Sequence, residues 1–360
     1  MNRRFLFAAI TTAVVGGVCE GAARVGGSRL LPAHRSFDAM PGEPVPGEAD
    51  MVVDTVTGWR PRVGKQQSFG IPGGTVVTTR GVRGKDVAIP KPKGERRILM
   101  LGDSTVFGVL VSDAEVFSAR LEHKLQSIDP QIHVLNGGAP GWSSYQAQRA
   151  LETRLIAYAP DLVVIGTLWS DTQGAEQADS VRFSPLFPIL EHSSAFVIGR
   201  EWVRELRWGH GAEEVRVGLR PPGSGPGPTN GPNAGNNGGN KRPIIGVGGA
   251  PTVRVSLAEY RENLKAIAAF SAAHGAASAF LVLPCVRDPD GHGVGDFRDD
   301  YRAAMRETAA ALGAPIADTP AAFAGRPSSA MFSDEVHPTA AGHSLIADVL
   351  ATTLNPWAQR

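Results

Sequence analysis

RILMLGDS, the stretch Arg97–Ser104, carries an apolar run directly into a serine. The four consecutive apolar residues Ile98–Leu101 are typical of a strand that is buried on both faces of a parallel sheet. Because ligands gather at the carboxyl ends of parallel strands, a serine at this point is expected to lie in a crevice. Taken alone, Ser104 is explained equally well as a helix cap.

Apolar strands alternate with amphipathic helices along the rest of the chain, and this alternation predicts a parallel α/β sheet covered on both faces. The predicted strands are Ile98–Leu101, Ile132–Leu135, Leu162–Ile165, Ala279–Leu283 and Pro315–Ala317. The predicted helices are Ser112–Ser127, Ser144–Tyr158, Ser256–His274, Asp299–Leu312 and Pro338–Leu354. Ser256 is followed three residues later by Glu259, which predicts a capping box at that helix start.

The composition is that of an ordinary globular protein with balanced charge. The 360 residues, 42% of them hydrophobic, allow one large or two modest domains. With 36 basic and 35 acidic residues, the net charge of +1 offers no electrostatic case for a nucleic-acid partner. The short basic clusters Arg80–Lys85 and Lys91–Arg97 are predicted to be solvated loop surface. The cysteines, Cys19 and Cys285, form no zinc-binding pattern with histidines, so no metal or other cofactor is expected.

The N-terminus has the pattern of an export signal. Asn2–Arg4 is basic, and Phe5–Cys19 is apolar or small and uncharged, which is short for a spanning helix but typical of a signal peptide. Gly21–Ala23 offers small residues for cleavage. We therefore predict a signal peptide or an uncleaved signal-anchor over residues 1–25. The protein would be exported, and would be periplasmic, secreted or anchored to the inner membrane; a buried N-terminal helix is the alternative.

The remaining chain divides into an extension and a main domain. Residues 26–94 are rich in Gly and Pro with short β-like runs, and they are predicted to form an irregular N-terminal extension. Residues 95–355 form the main domain, interrupted by an insert over residues 172–250. The first half of the insert contains two tryptophans and is expected to fold in part as a lid or subdomain. Residues 221–250 are rich in Gly, Pro and Asn, which predicts a disordered loop.

An acid–base pair near the C-terminus would complement the serine. A serine hydroxyl is a weak nucleophile unless a base accepts its proton. Asp334 lies three residues before His337, a spacing that can place both side chains on one side of a turn, and Pro338 restricts His337 to an extended conformation. A carboxylate in that position fixes the imidazole tautomer and stabilises the imidazolium. The alternative is a turn whose aspartate only caps the last helix.

Three motifs together resemble the SGNH/GDSL hydrolases. Gly102–Ser104, Asn136–Gly141 and Asp334–His337 are similar to blocks I, II and V of that family, and the resemblance covers residues 95–355 without the insert. It implies a three-layer α/β/α sandwich with a mostly parallel, flavodoxin-like central sheet. It also implies that Ser104 is the nucleophile, that His337 is the base and that Asp334 orients it.

The resemblance assigns the oxyanion donors as well. It implies that Gly141, or less well Gly138, donates a backbone N–H, and glycine lets the backbone approach a substrate closely. The third block departs from the family pattern, because Ser170 stands in place of the donating asparagine and is followed by Asp171. Losing one oxyanion donor typically costs about 10²–10³ in rate, so Ser170 substitutes, another group helps, or activity is weak. Trp169 either lines an acyl or sugar pocket or fills the core.

These motifs support three functions. The first is an exported serine esterase that hydrolyses O-acyl esters, acetyl esters among them, of glycans or lipids. The second is an O-acyltransferase acting on an envelope polysaccharide, and the third, suggested by the missing asparagine, is a non-catalytic glycan-binding protein of the same fold. Gly58–Arg60 and Thr79–Gly84 also resemble the pre-domain of exported, often membrane-anchored bacterial members, which implies membrane association through the N-terminus. The acyl chain, the alcohol and the oligomeric state stay open.

Overall fold

The computed structural model describes residues 3–26, 44–45, 48–67, 69–175, 178–182, 193, 195, 198–199 and 253–360. The predicted disordered loop over residues 221–250 and both tryptophans of the insert lie outside the described residues.

Ten strands and nine helices are found within the described residues. The strands are β1 (Pro44–Val45), β2 (Glu48–Asp54), β3 (Gly58–Pro61), β4 (Gly64–Gln66), β5 (Thr75–Val77), β6 (Arg96–Gly102), β7 (Ile132–Asn136), β8 (Leu162–Gly166), β9 (Ala277–Val282) and β10 (Ile316–Asp318). The helices are α1 (Arg3–Gly26), α2 (Ser104–Phe107), α3 (Phe117–Gln126), α4 (Ser144–Thr153), α5 (Asp179–Arg182), α6 (Leu257–Ala273), α7 (Arg298–Ala311), α8 (Ser328–Met331) and α9 (Ala340–Ala358).

A five-stranded parallel sheet forms the centre of the main domain, in the order β10-β9-β8-β6-β7. Numbered from β6, this order is the flavodoxin-like 2-1-3-4-5 arrangement. Helices α3 and α9 pack together on one face of the sheet, and α4, α6 and α7 pack together on the other. The predicted three-layer α/β/α sandwich is therefore confirmed.

Strand β6 lies at the point where the strand order reverses, between β7 and β8. Its residues Ile98–Leu101 are fully buried, which explains the unbroken apolar run. At its carboxyl end Gly102 pairs with Gly166 of β8, and a Cβ on Gly102 would approach the Gly166 carbonyl oxygen to 2.3 Å. The two strands therefore end in close contact, and the chain leaves β6 directly into Ser104.

Three predicted helix boundaries are wrong because local hydrogen bonds end or delay the helix. Helix α3 begins at Phe117 rather than Ser112, since the Ser112 carbonyl accepts from Glu115 (3.0 Å) in a turn before it. The helix predicted over Ser144–Tyr158 stops at Thr153 and continues as a 3₁₀ turn. Helix α9 begins after Thr339, whose side chain accepts from the Gly342 N–H. The predicted capping box at Ser256 is present.

The N-terminal extension contains two small antiparallel sheets, one formed by β1, β2 and β3 and one by β4 and β5. Helix α1 covers the predicted export signal, and Glu20 near its end accepts hydrogen bonds from the Ser193 hydroxyl (2.7 Å) and the Ala195 N–H (3.0 Å). Among the helices described, none combines the length and apolarity that a bilayer crossing requires.

Two arginines of the clusters that were predicted to be solvated are buried instead. Arg83 donates to the carbonyls of Phe107 (2.7 Å) and Val111 (2.7 Å) behind α2. Arg97 donates to the carbonyl of Tyr158 (2.8 Å) at the start of β6. A guanidinium offers five N–H donors, so backbone carbonyls can satisfy it inside the protein. The solvated-surface prediction is wrong for these residues.

Candidate active site

The structure brings together the three side chains that the sequence predicted to form an acid–base system. Ser104 Oγ lies 2.8 Å from His337 Nε2. On the other side of the ring, His337 Nδ1 lies 2.6 Å from Asp334 Oδ2. Both distances are within hydrogen-bond range. The imidazole therefore bridges the hydroxyl and the carboxylate, as general-base activation of a serine requires.

Asp103 fixes the position of Ser104. Its backbone is extended, and one carboxylate oxygen accepts from the Thr105 N–H (2.9 Å), which caps the short helix α2. The other oxygen accepts from the Trp169 N–H (3.0 Å) on the loop after β8. Complete burial raises the pKa of Asp103, although these hydrogen bonds and the nearby His337 act in the opposite direction. Asp103 thus joins the serine turn to the neighbouring loop.

Asp334 organises the turn that carries His337. Its Oδ1 accepts from the backbone N–H groups of Val336 (2.9 Å) and His337 (2.8 Å). The turn is closed by an antiparallel bridge between Phe332 and Pro338, so His337 belongs to a clamped loop rather than to α9. Partial burial favours a raised pKa, but the hydrogen bonds from His337 and Val336 outweigh it and lower the pKa of Asp334. The carboxylate is therefore ionised at neutral pH.

Solvent reaches the three side chains unequally. Ser104 is 3% exposed and His337 is 6% exposed, whereas the Asp334 side chain is 48% exposed. The serine and the histidine are therefore nearly buried, whereas about half of the carboxylate side chain is open to solvent. Within the described residues, no group of three or more His, Cys, Asp or Glu side chains is arranged to hold a metal ion.

The glycine loop, residues Asn136–Gly141, distinguishes between the two predicted oxyanion donors. The Asn136 side chain donates to the Val106 carbonyl (2.8 Å) and accepts from the Gly138 N–H (3.1 Å), so the N–H of Gly138 is already occupied. Gly141 has φ +76°, in the left-handed region that favours glycine. Its N–H has no acceptor among the described residues. Gly141 is thus the better of the two candidate donors.

The residues that follow β8 are as buried as Ser104 and His337. Trp169 is buried, and the guanidinium of Arg302 lies 5.4 Å from its ring centre. Asp171 is fully buried, and its Oδ1 accepts from the N–H (2.8 Å) and the hydroxyl (2.5 Å) of Ser144. Burial raises the pKa of Asp171 to about 7, although the bonds from Ser144 oppose the change. Ser170 is buried beside them. The contacts with Arg302 and Ser144 fix the positions of Trp169 and Asp171, and the substrate-binding and oxyanion roles of Trp169, Ser170 and Asp171 stay predictions.

A buried ion pair next to the glycine loop was not predicted from the sequence. Arg254, which follows the insert, pairs with Asp179, which precedes most of it, at 2.8 Å, and both side chains are almost completely buried. Arg254 also donates to the carbonyl of Gly141 (2.5 Å). No local pattern indicates this contact, because the partners are separated by 75 and 113 residues.

One family model matches the C-terminal part of the chain. Residues 235–345 match the family model of the GDSL-like lipase/acylhydrolase family. The matched range contains Asp334 and His337, and Ser104 precedes it. No curated protein matches the chain.

Several solved structures are similar to the chain at low identity. The α/β hydrolase LAE5 from the metagenome of Lake Arreo is 15% identical, with 74% of this chain and 96% of that chain covered and a TM-score of 0.45. A variant of the acetyl xylan esterase Axe2 from Geobacillus stearothermophilus is 18% identical, with 72% and 94% covered and a TM-score of 0.43. The lipase/acylhydrolase from Enterococcus faecalis is 14% identical, with 73% and 96% covered and a TM-score of 0.44.

Proposed function

We propose that this chain, of which residues 235–345 match the GDSL-like lipase/acylhydrolase family, is an ester hydrolase that cleaves small O-acyl esters through a triad of Ser104, His337 and Asp334. The 2.8 Å separation of Ser104 Oγ and His337 Nε2 carries the proposal. A general base must lie within about 2.6–3.2 Å of the group whose proton it takes.

The proposed mechanism follows from these contacts. Ser104 Oγ attacks the ester carbonyl while His337 Nε2 takes its proton, and Asp334 stabilises the resulting imidazolium. His337 then returns the proton to the leaving alcohol, which leaves an acyl group on Ser104. Water, deprotonated by His337, attacks this acyl-enzyme, and release of the carboxylic acid restores the hydroxyl.

The proposed oxyanion donors are the backbone N–H groups of Ser104 and Gly141. Ser104 is the first residue of α2, so its N–H has no partner within the helix. Ser170 would add a hydroxyl in place of the family's asparagine amide, with a shorter reach. We therefore expect this enzyme to be slower than one in which an asparagine amide is the third oxyanion donor, since one donor is worth about 10²–10³ in rate.

The proposed substrates are acetyl or similarly short acyl esters of a glycan or a lipid. The match of residues 235–345 to a family of lipases and acylhydrolases supports an acyl ester as the substrate class. Nothing in the triad distinguishes water from a sugar hydroxyl as the acyl acceptor, so transfer to a polysaccharide is an outcome that the test must be able to reveal.

A fluorophosphonate probe tests the proposal directly, because it reacts with an activated serine and not with an ordinary one. We expect the wild type and the Ser127→Ala control, which alters an exposed serine at the end of α3, to be labelled, and Ser104→Ala not to be. Folded wild-type protein that is not labelled would contradict the triad. Acetate release from an acetylated oligosaccharide, with and without an acceptor sugar, then separates hydrolysis from transfer.

We further propose that the protein is exported and associates with the cell envelope. The support is the basic segment Asn2–Arg4 followed by the uncharged run Phe5–Cys19. Cell fractionation with mass spectrometry of the N-terminal peptides tests this proposal. A processed N-terminus indicates a signal peptide, and an intact N-terminus in the membrane fraction indicates an anchor. Intact protein in the cytosol would contradict export.

A further inference from the structure

We infer that Trp59 and Arg254 are positioning residues that aim the Gly141 N–H at the oxyanion, an inference that rests on the proposed function. Within the part of the chain that the structure describes, neither residue is hydrogen-bonded to Ser104, His337 or Asp334. One belongs to the N-terminal extension and the other follows the insert, yet together they hold both peptide groups that flank Gly141.

Trp59 holds the peptide group that contains the donor. The Trp59 indole N–H donates to the Pro140 carbonyl at 3.0 Å. The peptide bond between Pro140 and Gly141 is trans, so its C=O and N–H point in opposite directions within one plane. Fixing the carbonyl therefore fixes the direction of the Gly141 N–H, which is aimed away from the indole. That N–H has no acceptor among the described residues and is free to meet a ligand.

Arg254 holds the next peptide group. Its Nη1 donates to the Gly141 carbonyl at 2.5 Å, and its Nη2 pairs with Asp179 at 2.8 Å. Asp179 in turn accepts from the Ser143 hydroxyl at 2.6 Å, just beyond the glycine loop. The ψ rotation of Gly141 is restrained from this side, as its φ rotation is restrained from the side of Trp59.

The two positioning residues also contact each other and restrict Gly141 to one backbone conformation. The Arg254 guanidinium lies 5.2 Å from the Trp59 ring centre, a cation–π contact. The Trp142 indole N–H donates back to the Trp59 carbonyl at 2.8 Å. A Cβ on Gly141 would meet the Trp59 ring at 3.3 Å, so the ring lies directly against the loop. A glycine, which is otherwise the most mobile residue type, is thereby held in one conformation.

This arrangement matters for the rate because an oxyanion donor is effective only when it is aligned before the reaction. The developing charge exists in the transition state and not in the bound ester. Misalignment of the Gly141 N–H should therefore lower kcat and leave KM nearly unchanged. A residue with a purely structural role would not produce this separation.

Trp59→Phe is the decisive variant, since it keeps an aromatic ring and removes the indole N–H. Trp357→Phe on α9 is the matched control, a tryptophan far along the chain that contacts Arg96. For hydrolysis of a small acetyl ester, we expect Trp59→Phe to lower kcat about 10-fold or more, up to the 10²–10³ of a lost donor, with KM within about 3-fold. Arg254→Lys, which keeps the charge and one donor, should lower kcat less than Trp59→Phe. A kcat for Trp59→Phe equal to that of Trp357→Phe would overturn the inference.

Hydrogen exchange gives a readout that does not depend on activity. The Ala139 N–H donates to the Gly102 carbonyl at the end of β6 (3.1 Å), and the Trp142 N–H donates to the Ala139 carbonyl (3.1 Å). In Trp59→Phe the peptide that contains them should exchange faster, while the peptide of β8 should not. Unchanged exchange at the loop would overturn the inference. If the wild type has no esterase activity that requires Ser104, the proposed function fails, and exchange alone decides whether Trp59 holds the loop.

Discussion

Replacing Arg254 by Met should destabilise the protein by about 3–5 kcal/mol, the usual cost of breaking a buried ion pair. The Arg254 and Asp179 side chains are 2% and 1% exposed, and their bonds measure 2.8 Å and 3.3 Å. Without the guanidinium, the buried Asp179 carboxylate keeps the Ser143 hydroxyl as a donor, and the Gly141 carbonyl loses a charged one.

The chain provides a matched control for this prediction. Arg306 and Asp318 form a pair of similar geometry, with bonds of 2.7 Å and 2.9 Å, but the two side chains are 42% and 41% exposed. Water screens such a pair, so Arg306→Met should cost at most about 1 kcal/mol. Both pairs join an arginine to an aspartate and both are tested by the same substitution. A difference in destabilisation between the two variants therefore reports the effect of burial rather than that of hydrogen-bond geometry.

Urea unfolding followed by tryptophan fluorescence measures both variants. Two further variants, Asp179→Asn alone and Arg254→Met with Asp179→Asn, complete a double-mutant cycle; the double variant removes the charge that Arg254→Met leaves unpaired. It should be more stable than the sum of the two single changes predicts, since the residues interact directly. A cost for Arg254→Met no larger than that for Arg306→Met would refute the reasoning, as would strict additivity in the double variant.

Three further predictions concern the active site. Burial raises the pKa of Asp171 from 3.8 to about 7, so between these pH values the folded state keeps a proton that the unfolded state loses, and stability should fall as pH rises from about 4 to about 7. Asp171→Asn should therefore stabilise the protein relative to wild type more at pH 8 than at pH 4. Equal differences in urea midpoint at the two pH values would contradict this. Gly141→Ala, at φ +76° and with a Cβ 3.3 Å from the Trp59 ring, should cost about 1 kcal/mol or more and reduce kcat, whereas an unchanged melting temperature and kcat would contradict the strain. Asp334→Asn should lower kcat by about 10²–10⁴ by disfavouring the required tautomer of His337, and a loss below 10-fold in steady-state assays would contradict that role.

The sheet could be predicted because each strand carries its own signal. A strand buried on both faces must be apolar throughout, and Leu162–Gly166 shows this without reference to the rest of the chain. The order of the strands then places Ser104 at the reversal point. Predicting that the serine, the histidine and the aspartate meet required only short motifs at the ends of such elements.

The boundaries of the helices were less predictable because neighbouring residues can each serve as the start of a helix. At the start of α9, Pro338 and Thr339 are both acceptable starting residues, and the hydroxyl of Thr339 forms the cap. The consequence is functional, since His337 then belongs to a turn bridged by Phe332 and Pro338 rather than to the helix. Sequence patterns rank such alternatives poorly, because the deciding bridge is a tertiary contact.

The supporting residues of the site could not be predicted, because their partners are distant in sequence. Arginine is usually exposed, so clusters of basic residues were assigned to the surface. Arg83 and Arg97 are buried instead, and Arg254, for which no prediction was made, is buried as well. Each of the three donates to backbone carbonyls from other parts of the chain. Trp59 likewise gave no sign that its indole N–H reaches Pro140.

The residues of this site that could be predicted and those that could not are positioned by different parts of the fold. The hydroxyl, the imidazole and the carboxylate stand at one edge of a parallel sheet, where topology alone brings them together. The peptide plane of Gly141 has no such constraint, because a glycine in a loop can adopt many orientations. Its orientation is set by Trp59 from the N-terminal extension and by Arg254 from the base of the insert. In the proposed mechanism Ser170 stands in place of an amide donor, so we expect the alignment of that one N–H to carry a larger share of oxyanion stabilisation. We therefore expect the extension and the base of the insert to contribute to the rate as well as to the fold.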